Sequence, residues 1–133
     1  MAEHMQIGEV AERTGLSQRT IRYYGEVGLA EPSRRTAGGF RLYTEADVEK
    51  LELIKKMKPL DFTLEEMREV IATLAELGRP RGGTQHDHLA DRLAGMRAMA
   101  DERRRRLGAK LDAAESFVAL LDTTLGEHRV TDD

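Results

Sequence analysis

The residues between Ser17 and Gly28 separate polar from apolar side chains when they are placed on a helix at about 100° per residue. The inner side carries Ile21, Tyr24 and Gly28, and the outer side carries Arg19, Arg22, Tyr23 and Glu26. Arginine donates paired hydrogen bonds to guanine or to phosphate, and a tyrosine hydroxyl can donate to a phosphate oxygen. The outer side therefore has the chemistry of a helix that lies in the major groove of DNA.

Further arginines lie close to this helix in the sequence, although the whole chain has a formal net charge of −3. Residues 13–41 contain six arginines and two glutamates, a local charge of +4, whereas residues 42–69 have a local charge of −3. Two arginines on a surface helix are usually only solvated. A basic segment that also includes Arg34, Arg35 and Arg41 in a predicted hairpin favours binding to a polyanion.

Several classes of function are excluded by what the 133 residues lack. There is no cysteine, which removes disulfides, thiolate metal sites and iron–sulfur ligation. The sequence has no glycine-rich phosphate loop and no cluster of histidine with carboxylates, so we expect neither an enzyme nor a bound cofactor. No apolar run approaches the roughly 20 residues of a membrane span and no signal peptide is present, which predicts a cytoplasmic protein.

The elements that position the outer arginines are predicted to be two short helices joined by a tight turn. The run from Ile7 to Thr14 has apolar residues at helical spacing. Gly15 ends this helix, and Ser17 is a suitable N-cap for a second helix that extends to about Val27. The spacing meets the requirements of a helix-turn-helix: a small residue at position 11, a glycine at 15 and apolar residues at 16 and 21.

A hairpin and two further helices are predicted downstream. Residues 30–43 indicate strand, turn and strand, with a pair of glycines in the turn. The sequences TEAD at residues 44–47 and TLEE at residues 63–66 resemble capping boxes, and each opens a helix with an apolar stripe. Pro59 closes the first of these helices, and the second ends near Gly78.

A heptad pattern follows residues 79–86, which are rich in proline and glycine and are predicted to be a linker. Apolar residues recur with four-three spacing along residues 87–126, with one slip of register near Arg103, and residues 127–133 form a predicted tail. The seam consists of Leu89, Leu93, Met96, Leu107, Leu111, Val118, Leu121 and Leu125. Since the preceding helices are too small to cover a helix of roughly 58 Å, we expect the seam to pair with a second chain.

A resemblance to the MerR family of transcription regulators is carried by the segments IGEVAERTGLS, RTIRYYGEVGL and GGFRLYTEADVEKLELIKKMKPLDFTLEEMREVI. It implies a mainly α fold, in which residues 6–78 form a winged helix-turn-helix DNA-binding domain with a small β-hairpin wing. A long dimerisation helix forming an antiparallel coiled coil would follow. The resemblance also implies a homodimer on inverted half-sites of promoter DNA, which distorts the promoter spacer so that RNA polymerase engages both promoter elements. Repression by promoter occlusion and a coiled-coil adaptor are the alternatives.

The resemblance assigns DNA contacts to matching positions of this chain. The recognition helix would contribute Gln18, Arg19, Arg22 and Tyr23, and the first wing would contribute Arg35, Arg41 and Tyr43. Tyr24 is expected in the core. Phe62 lies with Lys58 near the loop that would act as a second wing, and we expect Phe62 to be a core residue rather than a contact.

Departures from the family pattern concern the sensing of an effector. Metal-sensing and redox-sensing members use cysteines near the dimer helix, and this chain has none. His86 and His88 lie near that place, but residues so close on a helix do not converge on one ion, and we expect no metal site there. A separate ligand domain is not expected, and a small molecule would bind between the fourth helix and the coil. The sequence identifies no effector.

Overall fold

The computed structural model describes residues 4–79 and 84–130 of the chain. Over these residues it contains three short strands and five α-helices, with a 3-10 turn between the third and fourth helices. In chain order the elements are β1 (Met5–Gln6), α1 (Ile7–Thr14), α2 (Gln18–Glu26), β2 (Arg34–Arg35), β3 (Arg41–Tyr43), α3 (Glu45–Met57), the 3-10 turn (Lys58–Leu60), α4 (Leu64–Leu77) and α5 (Thr84–Val130). The chain divides into two compact units, one ending at Leu93 and the other beginning at Ala94. The predicted helix-turn-helix, wing and long final helix are confirmed.

The turn between α1 and α2 has the local chemistry that its sequence predicts. Gly15 adopts a φ of 75°, which favours glycine, and its N–H donates to a carbonyl oxygen of α1 at 2.9 Å. The hydroxyl of Ser17 accepts the N–H of Thr20 at 3.0 Å and so caps the start of α2. Val10 of α1 and Ile21 of α2 are fully buried, which anchors both helices in the core.

Three strands form an antiparallel sheet in the order β1–β3–β2. The sequence predicts the hairpin of β2 and β3 but not β1, in which Met5 pairs with Tyr43. A strand of two residues is too short for an alternating pattern, so nothing in its sequence signals it. Met5 is 6% exposed, and the folded part of the chain therefore includes residue 5, one position before the predicted start of the domain.

The carboxylate of Asp47 joins the wing to the start of α3. It is almost completely buried, and it accepts the N–H of Thr44 at 2.8 Å, which completes the predicted capping box. The same oxygen accepts the N–H of Ser33 at 3.2 Å and the Ser33 hydroxyl at 2.5 Å. Because Ser33 directly precedes β2, this one buried carboxylate fixes the base of the wing against α3.

Cationic side chains from α3 and α4 hold the carboxyl ends of α1 and α2. The Nζ atom of Lys55 donates to the carbonyl oxygen of Thr14 at the end of α1. The Nη2 atom of Arg68 donates to the carbonyl oxygen of Val27, the C-cap of α2, at 2.6 Å. Free carbonyl groups at the C-terminal end of a helix carry partial negative charge, which a cation satisfies. Each helix of the helix-turn-helix is thus attached to a support helix.

The connection from α3 to α4 is a 3-10 turn that contains Pro59. Asp61 follows it with a φ of 56°, and the side chain of Thr63 then caps α4 by accepting the N–H of Glu66 at 3.1 Å. Phe62 is 9% exposed, which confirms the expectation that it is a core residue. The loop therefore packs its aromatic side chain inward.

The helix α5 (Thr84–Val130) is longer than the sequence predicts. Residues 84–86 of the predicted linker belong to it, because the proline and glycines of the linker precede the helix. Residues 127–130 of the predicted tail also belong to it, because the single glycine at 126 weakens a helix without ending it. Residues 80–83 of that linker and 131–133 of that tail lie outside the described residues. Across the part of the chain that is described, no helix is both long and apolar enough to cross a membrane.

Asp47→Ala is expected to lower the free energy of unfolding by about 2–3 kcal/mol, because the N–H groups of Ser33 and Thr44 lose their acceptor. Thr63→Ala removes the exposed N-cap residue of the other capping box and should lower the free energy of unfolding by about 1 kcal/mol. Urea unfolding of the two variants provides the comparison. Equal losses would contradict the additional role of Asp47 at the base of the wing.

Candidate nucleic-acid interface

The outer side of α2 is exposed, as its sequence predicts. Gln18 and Arg19 are exposed, and Arg22 is half-buried. Tyr23 is 46% exposed, whereas its neighbour Tyr24 is 4% exposed. Their ring centroids lie 5.7 Å apart with the planes tilted by 55°, so the buried ring supports the exposed one. The prediction that Tyr23 faces outward and Tyr24 inward is confirmed.

The wing contributes a second group of arginines. Arg34 and Arg35 on β2 are exposed, and Arg41 on β3 is half-buried. Arg35 lies directly opposite Arg41 in the antiparallel strand pair. Residues opposite each other point to the same face of a sheet, where like charges repel. The fold therefore holds two guanidinium groups side by side at a place where an anion would be stabilised.

Arginines of α2 and of the wing act on one buried ring. Tyr43 lies on β3 and is fully buried. Burial raises the pKa of the Tyr43 hydroxyl, and the positive charges of Arg41, Arg35 and Arg22 oppose that rise. The three guanidinium groups, which come from a helix and two strands, are therefore close enough to act on the same atom.

The burial of Tyr43 corrects its expected role. The resemblance assigns it to the wing as a DNA contact, but its side chain has no exposed surface. Its hydroxyl oxygen has no hydrogen-bond partner among the described residues. The strand register explains the difference: Tyr43 pairs with Met5 of the unpredicted strand, and side-chain alternation then turns its ring toward the core. Tyr43 supports the surface from the core rather than contacting a ligand.

A cleft of about 400 Å³ lies where α2, the wing and the start of α1 meet. It is lined by Gln6, Ile7, Gly8, Gln18, Arg22, Gly39, Phe40 and Arg41. Among these described residues there are two guanidinium groups and no carboxylate. The cleft therefore links α2 to the wing through a positively charged surface.

Phe40 is a member of this surface that sequence reasoning misses. It is 67% exposed, more than any other large apolar side chain in the described part of the chain. The preceding Gly39 has a φ of 85° and forms the tip of the wing with Gly38. An aromatic residue directly after a two-glycine turn was the available signal, because such a turn leaves the next side chain outside the core. Phe40 offers the surface an apolar ring beside the arginines.

We call the arginines of α2 and of the wing the basic face; they are Arg19, Arg22, Arg34, Arg35 and Arg41. None of them forms an ion pair with another described residue. The arginine run in α5 differs, because Arg104 and Arg105 pair with Asp101, and Arg106 pairs with Glu102. The hydrogen bond from Arg104 lowers the pKa of Asp101. Cations left without counter-ions are typical of a surface that binds a polyanion.

The predicted dimer seam divides between the two units of the chain. In the first unit, Leu89 is 9% exposed and lines a cavity of about 260 Å³ with residues of α4. This corrects its assignment, because the first turns of α5 lie beside α4 and bury Leu89 within its own chain. Leu93 and Met96 are half-buried. In the second unit, to which Met96 also belongs, the seam residues from 107 onward are 45–59% exposed: Leu107, Leu111, Val118, Leu121 and Leu125.

The histidines at the start of α5 lie apart from the basic face in the sequence. His86 is half-buried and His88 is exposed. The Nδ1 atom of His86 is buried and has no hydrogen-bond partner in the described part of the chain. Within residues 4–79 and 84–130, no three His, Asp or Glu side chains are grouped as a metal site would require.

Comparison with known families and curated proteins identifies relatives of the first half of the chain. A model described as "MerR HTH family regulatory protein" matches residues 5–74. The HTH-type transcriptional regulator YfmP of Bacillus subtilis is 46% identical over 76 residues, which are 56% of this chain and 54% of that protein. HmrR of Rhizobium leguminosarum bv. viciae is 41% identical over 75 residues, 56% of this chain and 57% of that protein. The chain thus spans about half the length of these curated relatives.

Solved structures extend the similarity of fold to most of the chain. A MerR-family transcriptional regulator from Bacillus cereus gives a TM-score of 0.63 at 28% identity, covering 90% of this chain and 78% of that one. MtaN, the N-terminus of the Bacillus subtilis multidrug transporter activator, gives a TM-score of 0.55 at 28% identity, and the alignment covers 91% of this chain and 97% of MtaN. HiNmlR, a MerR-family regulator without a sensor domain that was solved bound to promoter DNA, shares the fold at 20% identity with a TM-score of 0.64, covering 88% and 89%.

Tyr43→Phe should leave the affinity for a promoter duplex unchanged and should not lower stability, because the lost hydroxyl is buried without a partner in the described residues. Tyr23→Phe removes the same atom from an exposed ring and should weaken binding about three- to tenfold through the loss of one hydrogen bond. Fluorescence anisotropy at one fixed salt concentration measures both affinities. An equal loss in the two variants would restore Tyr43 as a contact residue.

Proposed function

Because the chain belongs to the MerR family of transcriptional regulators, which are DNA-binding proteins and not enzymes, we propose that it acts as a homodimer on inverted-repeat promoter DNA. We also infer that it activates transcription by distorting the spacer between the promoter elements. The basic face carries this proposal, since its five arginines have no ion-pair partner among the described residues. DNA phosphates supply the missing counter-charges, and the release of condensed cations from DNA favours binding.

In this proposal α2 is the recognition helix and lies in the major groove. Base edges are read mainly from the N-terminal part of such a helix, which favours Gln18 and Arg19 as base-reading residues. Arg22 and Tyr23 lie one turn further along, where a guanidinium and a phenol hydroxyl donate to phosphate oxygens. The supporting observations are the exposure of Arg19 and Tyr23 and the burial of Tyr24 on the opposite side.

The wing binds the DNA backbone beside the recognition helix. Arg41 and Arg22 both line the cleft of about 400 Å³, so one phosphate group placed there would contact arginines of the wing and of α2 together. A phosphate also relieves the repulsion between Arg35 and Arg41. The ring of Phe40 then packs on a neighbouring deoxyribose, which removes its apolar surface from water.

The second copy of the chain pairs through α5. The seam from Leu107 to Leu125 leaves five large apolar side chains about half exposed in the single chain. Burying each such side chain contributes up to about 1.5–3 kcal/mol, and an antiparallel partner helix presents a matching stripe. The family resemblance supports the antiparallel arrangement. Leu89 is left out of this seam, since it is already buried against α4.

Distortion of the promoter follows from two recognition helices held at a separation that the dimer fixes. Where the half-sites do not match that separation, the DNA must bend or untwist, at a cost of about 1–6 kcal/mol that protein–DNA contacts offset. Such a change brings misaligned promoter elements into register for RNA polymerase. We place the protein in the cytoplasm, where a bacterial chromosome and its polymerase are found.

Val118→Glu is expected to convert the dimer to monomers at micromolar concentration, because a charge buried in the seam costs several kcal/mol. Ala119→Glu introduces the same charge on the next residue, which lies about 100° around the helix and outside the seam, and should leave the dimer intact. Sedimentation velocity reports the oligomeric state of both variants. A dimeric Val118→Glu variant would show that the seam lies elsewhere.

In vitro transcription from promoters whose spacer is varied one base pair at a time tests activation by distortion. Stimulation should be confined to over-long spacers, because only these need realignment. A triple variant with alanine at Arg19, Arg22 and Tyr23 is the matched control and should give neither stimulation nor retention of the operator in a gel. Repression at every spacer length would instead support promoter occlusion, and stimulation at every length would exclude distortion.

A further inference from the structure

The carboxyl end of α2 is held by a side chain from a distant part of the chain. Val27 is the C-cap of α2, and its carbonyl oxygen accepts a hydrogen bond from Nη2 of Arg68 at 2.6 Å. Beyond it the chain turns back, because the N–H groups of Leu29 and Ala30 both donate to the carbonyl oxygen of Tyr24. The Arg68 bond is therefore located where the helix ends and the chain changes direction.

Arg68 makes this bond although two carboxylates are available on its own helix. Glu65 lies one turn before it and Glu69 is the next residue, yet neither forms an ion pair with Arg68 in the described structure. A guanidinium near the C-terminus of a helix also interacts favourably with the negative end of the helix dipole. The hydrogen bond to the Val27 carbonyl, rather than an ion pair within α4, therefore determines where this side chain points.

We propose that Arg68 is a positioning residue for DNA recognition, which fixes the carboxyl end of α2 without touching DNA. This inference rests on the proposed function, in which α2 lies in the major groove. Ile21 and Tyr24 anchor the nine-residue helix in the core, but Glu26 and Val27 at its end are not buried. The position of the Val27 carbonyl therefore depends on Arg68, and the end of the helix tilts when that bond is lost. Such a tilt displaces Arg22 and Tyr23 from the groups they contact.

The test compares Arg68→Met with Arg68→Lys and with Arg79→Met in the otherwise intact dimer. Arg68→Met keeps the length and helix propensity of the side chain but removes all its donors, and should weaken operator binding about tenfold. Arg68→Lys retains one donor group for the Val27 carbonyl and should recover most of the affinity. Arg79→Met removes a charge just beyond the end of α4, where it pairs with Glu76, and should bind the operator normally.

The salt dependence of binding separates a positioning role from a direct contact. Since Arg68 touches no phosphate in the proposal, Arg68→Met should leave the slope of log K against log salt unchanged. Arg22→Met should make it shallower by about 1.8, because the dimer loses one phosphate contact in each protomer. A change of about 1.8 in Arg68→Met would overturn the proposal in favour of a phosphate contact. Unchanged operator affinity would overturn it as well.

Hydrogen exchange tests the structural step without DNA. The amides of Leu29 and Ala30, which donate into the last turn of α2, should exchange faster in Arg68→Met than in Arg79→Met. Equal exchange rates would contradict the proposal even if both variants bind the operator. If these amides exchange faster in Arg68→Met but no form of the protein binds DNA, the assignment of α2 as the recognition helix is wrong. The structural role of Arg68 at the end of α2 is then still supported.

Discussion

Five guanidinium groups without ion-pair partners among the described residues are the constraint on which the arrangement of the DNA-binding domain depends. Their mutual repulsion opposes folding, and Arg35 and Arg41 lie directly opposite each other across one strand pair. The domain offsets this cost with a neutral core, in which Ile21 and Tyr43 are fully buried. Asp47 adds hydrogen bonds at the base of the wing. The basic face therefore lowers the stability of the free protein, and a bound anion would relieve this cost.

Acidic residues neutralise several cations elsewhere in the chain, but none of them pairs with the basic face among the described residues. Arg13 donates to Glu45 at 2.8 Å, and this hydrogen bond lowers the pKa of the Glu45 carboxyl. Arg104, Arg105 and Arg106 of α5 pair with Asp101 and Glu102 one turn away. The net charge of −3 is thus a sum over paired and unpaired groups, and it hides the place where unpaired arginines are concentrated. The basic segment of the sequence therefore supplies the unpaired arginines of the basic face, whereas several arginines outside that face form ion pairs within the chain.

Structure that forms between neighbours in the chain was predictable from the sequence. The bounds of α1 and both capping boxes depend on residues within one helical turn, and the structure has them where the sequence predicts. The opposite exposures of Tyr23 and Tyr24 follow from helical periodicity alone. The chemistry of the basic face was visible for the same reason, since its arginines lie in one short stretch of the chain.

Structure that depends on distant pairing was not predictable. The burial of Tyr43 requires a strand of two residues that has no pattern of its own. Leu89 fits a heptad but is covered by α4, and a heptad does not distinguish a partner chain from the same chain. The bond from Arg68 to Val27 joins residues 41 positions apart, and an arginine on a helix surface has many possible acceptors. In each case the two contacting residues lie in separate segments of the chain, and neither segment has a pattern that identifies the other.

The salt dependence of operator binding by the unmodified dimer tests most directly whether an acidic chain binds DNA through these unpaired arginines. If Arg19, Arg22, Arg35 and Arg41 of each protomer face the DNA and most of them neutralise a phosphate, the slope of log K against log salt should lie at about −5 to −7. A slope shallower than about −2 would contradict the account, because binding would then depend on contacts other than those of the basic face.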